Sequence, residues 1–286
     1  MNPIKTKSKM KKTMKKFLSM AALALVGAVM TGCSSDDDSI ISNQQQFENK
    51  SKVVTLTTTV GFDASAGTRA LTSTGVKTFA AGETMAIVYK NTAGETVKAV
   101  SAALTDGDIT TTGDDATNKK SATFTFELTD PDRTVPVRYI YPAAMAKNVA
   151  IDAAIDDANT INYDALATQD GMLGTLSSTL DLATGGGEWD DGKLPTGTLE
   201  NQLAILAITL KDGSEITSSI TDMTISDGTN NYTVSRSAVA GPIYVAIQPT
   251  DHADIDVTAT DGTKNYVKYL TSKDYVKIMA ILLSGQ

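Results

Sequence analysis

Residues 53–71 read VVTLTTTVGFDASAGTRAL, and two kinds of sequence meet inside that stretch. Over 53–62 the chain alternates, with Val54, Leu56, Thr58, Val60 and Phe62 on one side and mostly threonine on the other. A period of two among β-branched and aromatic residues predicts a strand with one buried face. Over 63–71 the residues are nearly all small and surround one arginine, Arg69. A strand followed by an accessible, cleavable loop is a strand that can be removed.

Upstream, lysines between positions 5 and 16 precede an apolar run over 17–30, shorter than the ~20 residues a membrane-spanning helix needs, so 1–32 reads as an export signal. The run ends Met30-Thr31-Gly32 and leads into Cys33, the one cysteine of the chain. This resembles a bacterial lipobox, in which cleavage leaves a lipidated cysteine as the new N-terminus; the plain alternative is an ordinary signal peptide with an incidental cysteine. A lone cysteine leaves no internal disulfide to form. The order Cys33-Ser34-Ser35-Asp36-Asp37-Asp38 then resembles the surface-export signal of Bacteroidetes lipoproteins. Residues 33–52 are expected to be an acidic and polar tether, since no strong period runs through them.

The formal net charge of −8 hides a stronger acidity. Setting aside the seven lysines that precede Cys33 leaves 18 basic against 33 acidic residues, a balance of −15. That argues against nucleic acid or any other polyanion as a partner. A length of 286 residues is enough for one large or two ordinary domains with a real core.

Beyond Leu71, turn signals come at short intervals and almost nothing has helical period. Strands are expected at 84–89, 97–104, 121–128 and 135–141, the third being the clearest, with Ala122, Phe124, Phe126 and Leu128 alternating against polar residues. The alanine-rich 143–158 is the one place where a short helix is expected. Residues 184–198, TGGGEWDDGKLPTGT, read as a linker. Further strands are expected at 199–210, 220–226, 232–235, 241–248, 255–259, 266–270 and 275–283, with Asp227-Gly228 and Asp261-Gly262 supplying turns. The expected organisation is all-β, with one sandwich domain over 53–183 and a second over 199–286.

Several segments together resemble the fimbrillin family, the subunits of the Bacteroidetes type V pilus. They are the lipobox with its acidic follower, the early alternating strand, Gly67-Thr68-Arg69-Ala70, FAAGETMAIV at 79–88, the stretch 139–142, LENQLAILAITL at 199–210 and GPIYVAIQP at 241–249. The resemblance implies two transthyretin-like β-sandwich domains in tandem, exported to the outer membrane as a lipoprotein anchored through Cys33. It implies a trypsin-like, arginine-specific protease cutting between Arg69 and Ala70, which would leave 217 residues. Of the four arginines, Arg133 and Arg138 fall at or in expected strands and Arg236 in a tight segment, so Arg69 is the best placed for a protease.

Loss of the first strand would open an edge groove that wants another strand. Its five inward side chains represent about 7–12 kcal/mol of gross burial. The candidate donor is the run carrying Tyr275, Lys277, Met279, Ile281 and Leu283 in a neighbouring copy or a related pilus subunit, giving a head-to-tail polymer. The plain alternative for that run is a core strand of the second domain, since both its faces are apolar. Two other readings of the whole chain stay open: an uncleaved lipoprotein that anchors such a pilus, and one that binds a glycan or host protein through its loops.

No enzymatic pattern is expected, nor a cofactor or metal site. The one histidine, His252, lies in a turn-like Thr-Asp-His-Ala-Asp context without a nucleophile partner. The acidic groups Asp106, Asp108, Asp114 and Asp115, and Glu188, Asp190 and Asp191, mark no acid/base couple and no EF-hand loop, and read as solvated loops. Trp189 is either a packing anchor or an exposed ligand contact.

Overall fold

The computed structural model describes residues 51–62, 78–110, 121–209, 211–212, 215–216, 220–237, 241–275 and 282–284, and residues 49–286 form one compact unit. The export signal, the tether with Cys33, and the loop with Arg69 and Ala70 lie outside the described residues.

In chain order the strands are β1 (Val53–Phe62), β2 (Ala86–Lys90), β3 (Thr96–Val100), β4 (Ile109–Thr110), β5 (Ser121–Thr129), β6 (Val137–Tyr141), β7 (Thr168–Gln169), β8 (Ala183–Gly187) and β9 (Gly197–Asn201). They continue as β10 (Ala204–Thr209), β11 (Lys211–Asp212), β12 (Glu215–Ile216), β13 (Asp222–Ser226), β14 (Asn231–Ser235), β15 (Ile243–Ile247), β16 (Thr250–Thr260), β17 (Asn265–Tyr275) and β18 (Leu282–Ser284). The fold is all-β. An eight-stranded sheet has the order β3-β2-β6-β8-β9-β1-β5-β4, and a five-stranded one the order β17-β16-β13-β14-β7. A three-stranded sheet, β15-β10-β18, and the β11–β12 pair complete the set. The eight-stranded sheet curls on itself, because the Ala102 N–H beyond β3 donates to the Thr125 carbonyl of β5 at 2.9 Å.

Alternation explains the strands that matter most. In β5 the side chains of Ala122, Phe124, Phe126 and Leu128 are fully buried, while Glu127 is exposed. Turns form where Asp-Gly was expected to supply them: Asp227 Oδ1 accepts from the N–H groups of Thr229 (2.9 Å) and Asn230 (2.6 Å), and Asp261 Oδ1 from those of Thr263 (2.8 Å) and Lys264 (2.7 Å).

Two buried clusters result. The first gathers Phe79, Tyr89, Phe124, Phe126, Tyr139 and Tyr141, and the second Leu203, Leu206, Ile225, Val245, Ile247 and Val257, among others. β2 and β6 serve both: Ile87, Tyr89, Tyr139 and Tyr141 face the first cluster, whereas Ala86, Val88 and Ile140 face the second. A strand buried on both faces must be apolar throughout, as MAIV over 85–88 is.

Four local expectations are corrected. Residues 184–198 are not a linker between two separate sheets: they run from β8 through a turn to the start of β9, and both strands belong to the eight-stranded sheet. Glycine is there for close packing, since a Cβ on Gly186, whose φ is +121°, would lie 2.1 Å from the Val137 carbonyl oxygen. The run 199–210 is two strands, β9 and β10, in different sheets. Residues 143–158 hold only a single 3₁₀ turn, Ala143–Met145, followed by an α-turn at Asp157–Thr160, because their apolar spacing supplies no continuous stripe to bury. His252 lies inside β16, not a turn; the pairing of β16 with β17 shifts register on both sides of Ala253, which breaks the strand pattern in the sequence.

Gly186→Ala is expected to destabilise the protein by about 2 kcal/mol or more in urea unfolding, a steric clash added to backbone strain. Gly187→Ala, where a Cβ meets nothing within 4 Å, is expected to cost only the backbone term, about 1 kcal/mol.

Candidate functional site

β1 and the slot that holds it are the candidate site. All nine residues from Val53 to Gly61 pair antiparallel with β5, Val53 opposite Thr129 and Gly61 opposite Ser121. On its other side β1 pairs parallel with β9, and only through Val60, Gly61 and Phe62. The expected edge groove is therefore corrected: at the Phe62 end the slot is a gap between two strands, and among the described residues only its Val53 end is an edge.

The inward face is the one alternation predicts. Thr58 and Val60 are buried, while Val54, Leu56 and Phe62 are half-buried against the first cluster. Partial burial of three of the five places their contribution toward the lower end of about 7–12 kcal/mol. The outward face is exposed, Val53 by 58%, and is stitched to β5 by a hydrogen bond of 2.8 Å between the hydroxyls of Thr59 and Thr123.

Specific polar contacts fix the position of β1 along the slot. The Thr58 hydroxyl donates to the Pro195 carbonyl at 2.6 Å, and the Tyr139 hydroxyl donates to the same oxygen at 2.9 Å. At the start of the strand the Lys52 N–H donates to Asp130 Oδ1 (2.7 Å) and the Asp130 N–H to the Lys52 carbonyl (2.9 Å). At its end the Phe62 ring stacks on Phe79 at 4.5 Å between centroids and meets Tyr141 edge-on at 5.8 Å. Tyr141 in turn hydrogen-bonds Glu83. Burial pushes the Tyr139 and Tyr141 phenols well above the ordinary range, helped at Tyr141 by the Glu83 carboxylate. The roles of Pro195, Asp130 and Phe79 carry no sequence signal of their own, because each depends on which segments the fold brings together.

Of the other sequence-predicted sites, those among the described residues do not converge here. Tyr275 is the last residue of β17, and Leu283 lies in β18, parallel to Ile208 of β10, so the expected single strand over 275–283 is divided between two sheets. Lys277, Met279 and Ile281 lie outside the described residues. Trp189 is a packing anchor: its ring rests on the first cluster, its Nε1 donates to the Val135 carbonyl at 2.9 Å, and the Arg133 guanidinium carbon lies 5.7 Å from its centroid. A cleft of about 450 Å³ beside Gly186 is flanked by Lys90 and Arg138. Both cations are engaged, Arg138 by Asp157 and Lys90 by the Thr96 hydroxyl at 2.6 Å. Among the described residues no three acidic, histidine or cysteine groups gather as metal ligands.

No protein-family model and no curated protein matches the chain. Among solved structures, it is similar to a fimbrial assembly protein from Parabacteroides distasonis ATCC 8503, at 8% identity over 82% of this chain and 91% of that one, with a TM-score of 0.40. It is also similar to a candidate cell adhesion protein from Bacteroides fragilis NCTC 9343, at 10% identity over 79% and 92%, with a TM-score of 0.41. A third, a candidate cell adhesion protein from Bacteroides ovatus ATCC 8483, shares 11% identity over 78% and 88%, with a TM-score of 0.34.

Phe62→Ala is expected to lower stability by about 2 kcal/mol, less than a fully buried phenylalanine would cost, whereas Val53→Ala is expected to change it by less than about 0.5 kcal/mol; urea midpoints decide both. The phenols also set an alkaline limit. Because burial raises Tyr139, Tyr141 and Tyr232, the last to about 12, above the unfolded value near 10, their contribution is complete below that value. Stability is expected to fall as pH rises above about 10, and Tyr139→Phe to reduce the steepness of that fall in urea titrations.

Proposed function

We propose that the protein is a structural subunit of a cell-surface fimbria, in which β1 occupies its slot only until the chain is processed. The observation that carries this reading is the asymmetric hold on β1: a full ladder to β5, three pairs to β9, and an inward face that is only partly buried. Main-chain pairing of that kind can be reproduced by any strand of similar length, while the side chains choose which strand fits.

In this reading the chain is exported as a lipoprotein through Cys33 and reaches the outer membrane surface. An arginine-specific, trypsin-like protease cuts between Arg69 and Ala70, and the lipidated segment leaves with β1. The two buried clusters are read as two β-sandwich units in tandem. The vacated slot takes a strand from another copy or a related subunit, drawn from the run containing Tyr275, Lys277, Met279, Ile281 and Leu283. Within one chain the described part of that run, Leu282–Ser284, pairs parallel with Ala207–Thr209 of β10. A contact between unlike surfaces, repeated head to tail, does not close and builds a filament. The role is structural and adhesive, not catalytic.

Arg69→Ala is expected to leave export intact and abolish filaments, while N-terminal sequencing of wild-type surface protein is expected to begin at Ala70. Normal filaments from the variant, or an acylated Cys33 retained on wild-type protein, would contradict the processing step; the latter would instead favour an anchor.

A further inference from the structure

Asn201, the last residue of β9, is not accounted for by the strand that now fills the slot. Its side chain is 6% exposed, and among the described residues neither its Nδ2 nor its Oδ1 has a hydrogen-bond partner. A buried carboxamide left unmet is costly, and its retention calls for a partner that arrives from elsewhere. Leu199 and Asn201 share the inward face of β9, and Leu199 stands beside Phe62 in the parallel ladder. Across the sheet, Tyr141, Ala183 and Asn201 form one row through β6, β8 and β9. A strand extending two residues past the Phe62 place in the same register would bring its next inward side chain beside Asn201. In the sequence, the residue two on from Phe62 is Ala64, and a methyl group has no hydrogen-bonding atom.

We propose that Asn201 sets the register of the strand that replaces β1. The strand it selects is residues 276–284 of a second copy, entering with the Ser284 hydroxyl against the Asn201 carboxamide. This rests on the reading that β1 is exchangeable. With Ser284 at Asn201, Leu282 takes the Phe62 place, Ala280 that of Val60, Ile278 that of Thr58 and Val276 that of Leu56. At these four places the incoming residue is uncharged and apolar, and the one charge on this face, Asp274, falls at the half-buried Val54 place, the end of the slot that is an edge among the described residues. The opposite face of the same run, the one that Tyr275 and Leu283 belong to, brings Gly285 beside Asn201 and the Lys277 ammonium to the Leu56 place. A slip of one residue exchanges the two faces completely, so a single buried amide is enough to choose between them. It works as a buried polar residue does elsewhere, by making the wrong register leave it unmet.

The test uses the full-length protein nicked after Arg69 and a fluorescent peptide of residues 274–286, with binding read by anisotropy. The wild-type peptide is expected to bind, and the Ser284→Ala peptide to bind about tenfold more weakly. On Asn201→Leu protein the two peptides are expected to bind alike, and in the uncut chain that substitution is expected to leave the urea midpoint unchanged or raised. Asn201→Ala is the second variant should the leucine perturb folding. Equal binding of both peptides to wild-type protein, or a Ser284→Ala penalty that persists without Asn201, would overturn the assignment and leave strand exchange standing. Binding by neither peptide would contradict strand exchange itself, and the role of Asn201 with it.

Discussion

The position of β1 between β5 and β9 is the constraint on which the eight-stranded sheet depends. Remove it, and β5 with β4 loses its strand connection to β9 while the inward pockets of the first cluster open. The hold is uneven in kind as well as in side. Nine residue pairs to β5 supply backbone hydrogen bonding, each bond worth about 1 kcal/mol net, yet only Thr58 and Val60 are fully buried among the inward side chains. Register is fixed by points: the Pro195 carbonyl that accepts from both Thr58 and Tyr139, the Lys52–Asp130 exchange at one end, and the aromatic stack at the other. The proposed exchange of β1 asks for such a hold, in which backbone pairing outweighs side-chain burial.

The slot is also joined to the rest of the molecule through β6. Tyr139 and Tyr141 line the slot, while Ile140 between them packs into the second cluster. Whatever fills the place of Phe62 therefore presses on a strand that both clusters share. β8 joins β6 to β9 in the same sheet, and Gly186 lets its backbone approach Val137 more closely than any side chain would permit.

How legible this was in the sequence depended on what each segment had to satisfy. β1 and β5 bury one face and show it by alternation, so their extent and inward residues follow from period two. The Asp-Gly turns are equally local. β8 was opaque because a glycine run reads as a loop unless one knows that a neighbouring carbonyl needs the space. The apolar run over 199–210 gave no sign that Gln202 and Leu203 divide it, because the division reflects two sheets and not a turn residue. His252 read as a turn because a shifted register interrupts alternation without ending the strand. Asn201 could be placed in a strand but not recognised as unmet, since that depends on how β6 and β8 line up beside β9.

Native mass spectrometry of the full-length protein nicked after Arg69 tests the exchangeability of β1 most directly. If β1 is a temporary occupant, the segment ending at Arg69 leaves and masses appear at integer multiples of the remaining 217 residues, increasing with protein concentration. A nicked protein that keeps its N-terminal segment and stays monomeric at every concentration would show β1 to be a permanent strand and contradict the proposed assembly.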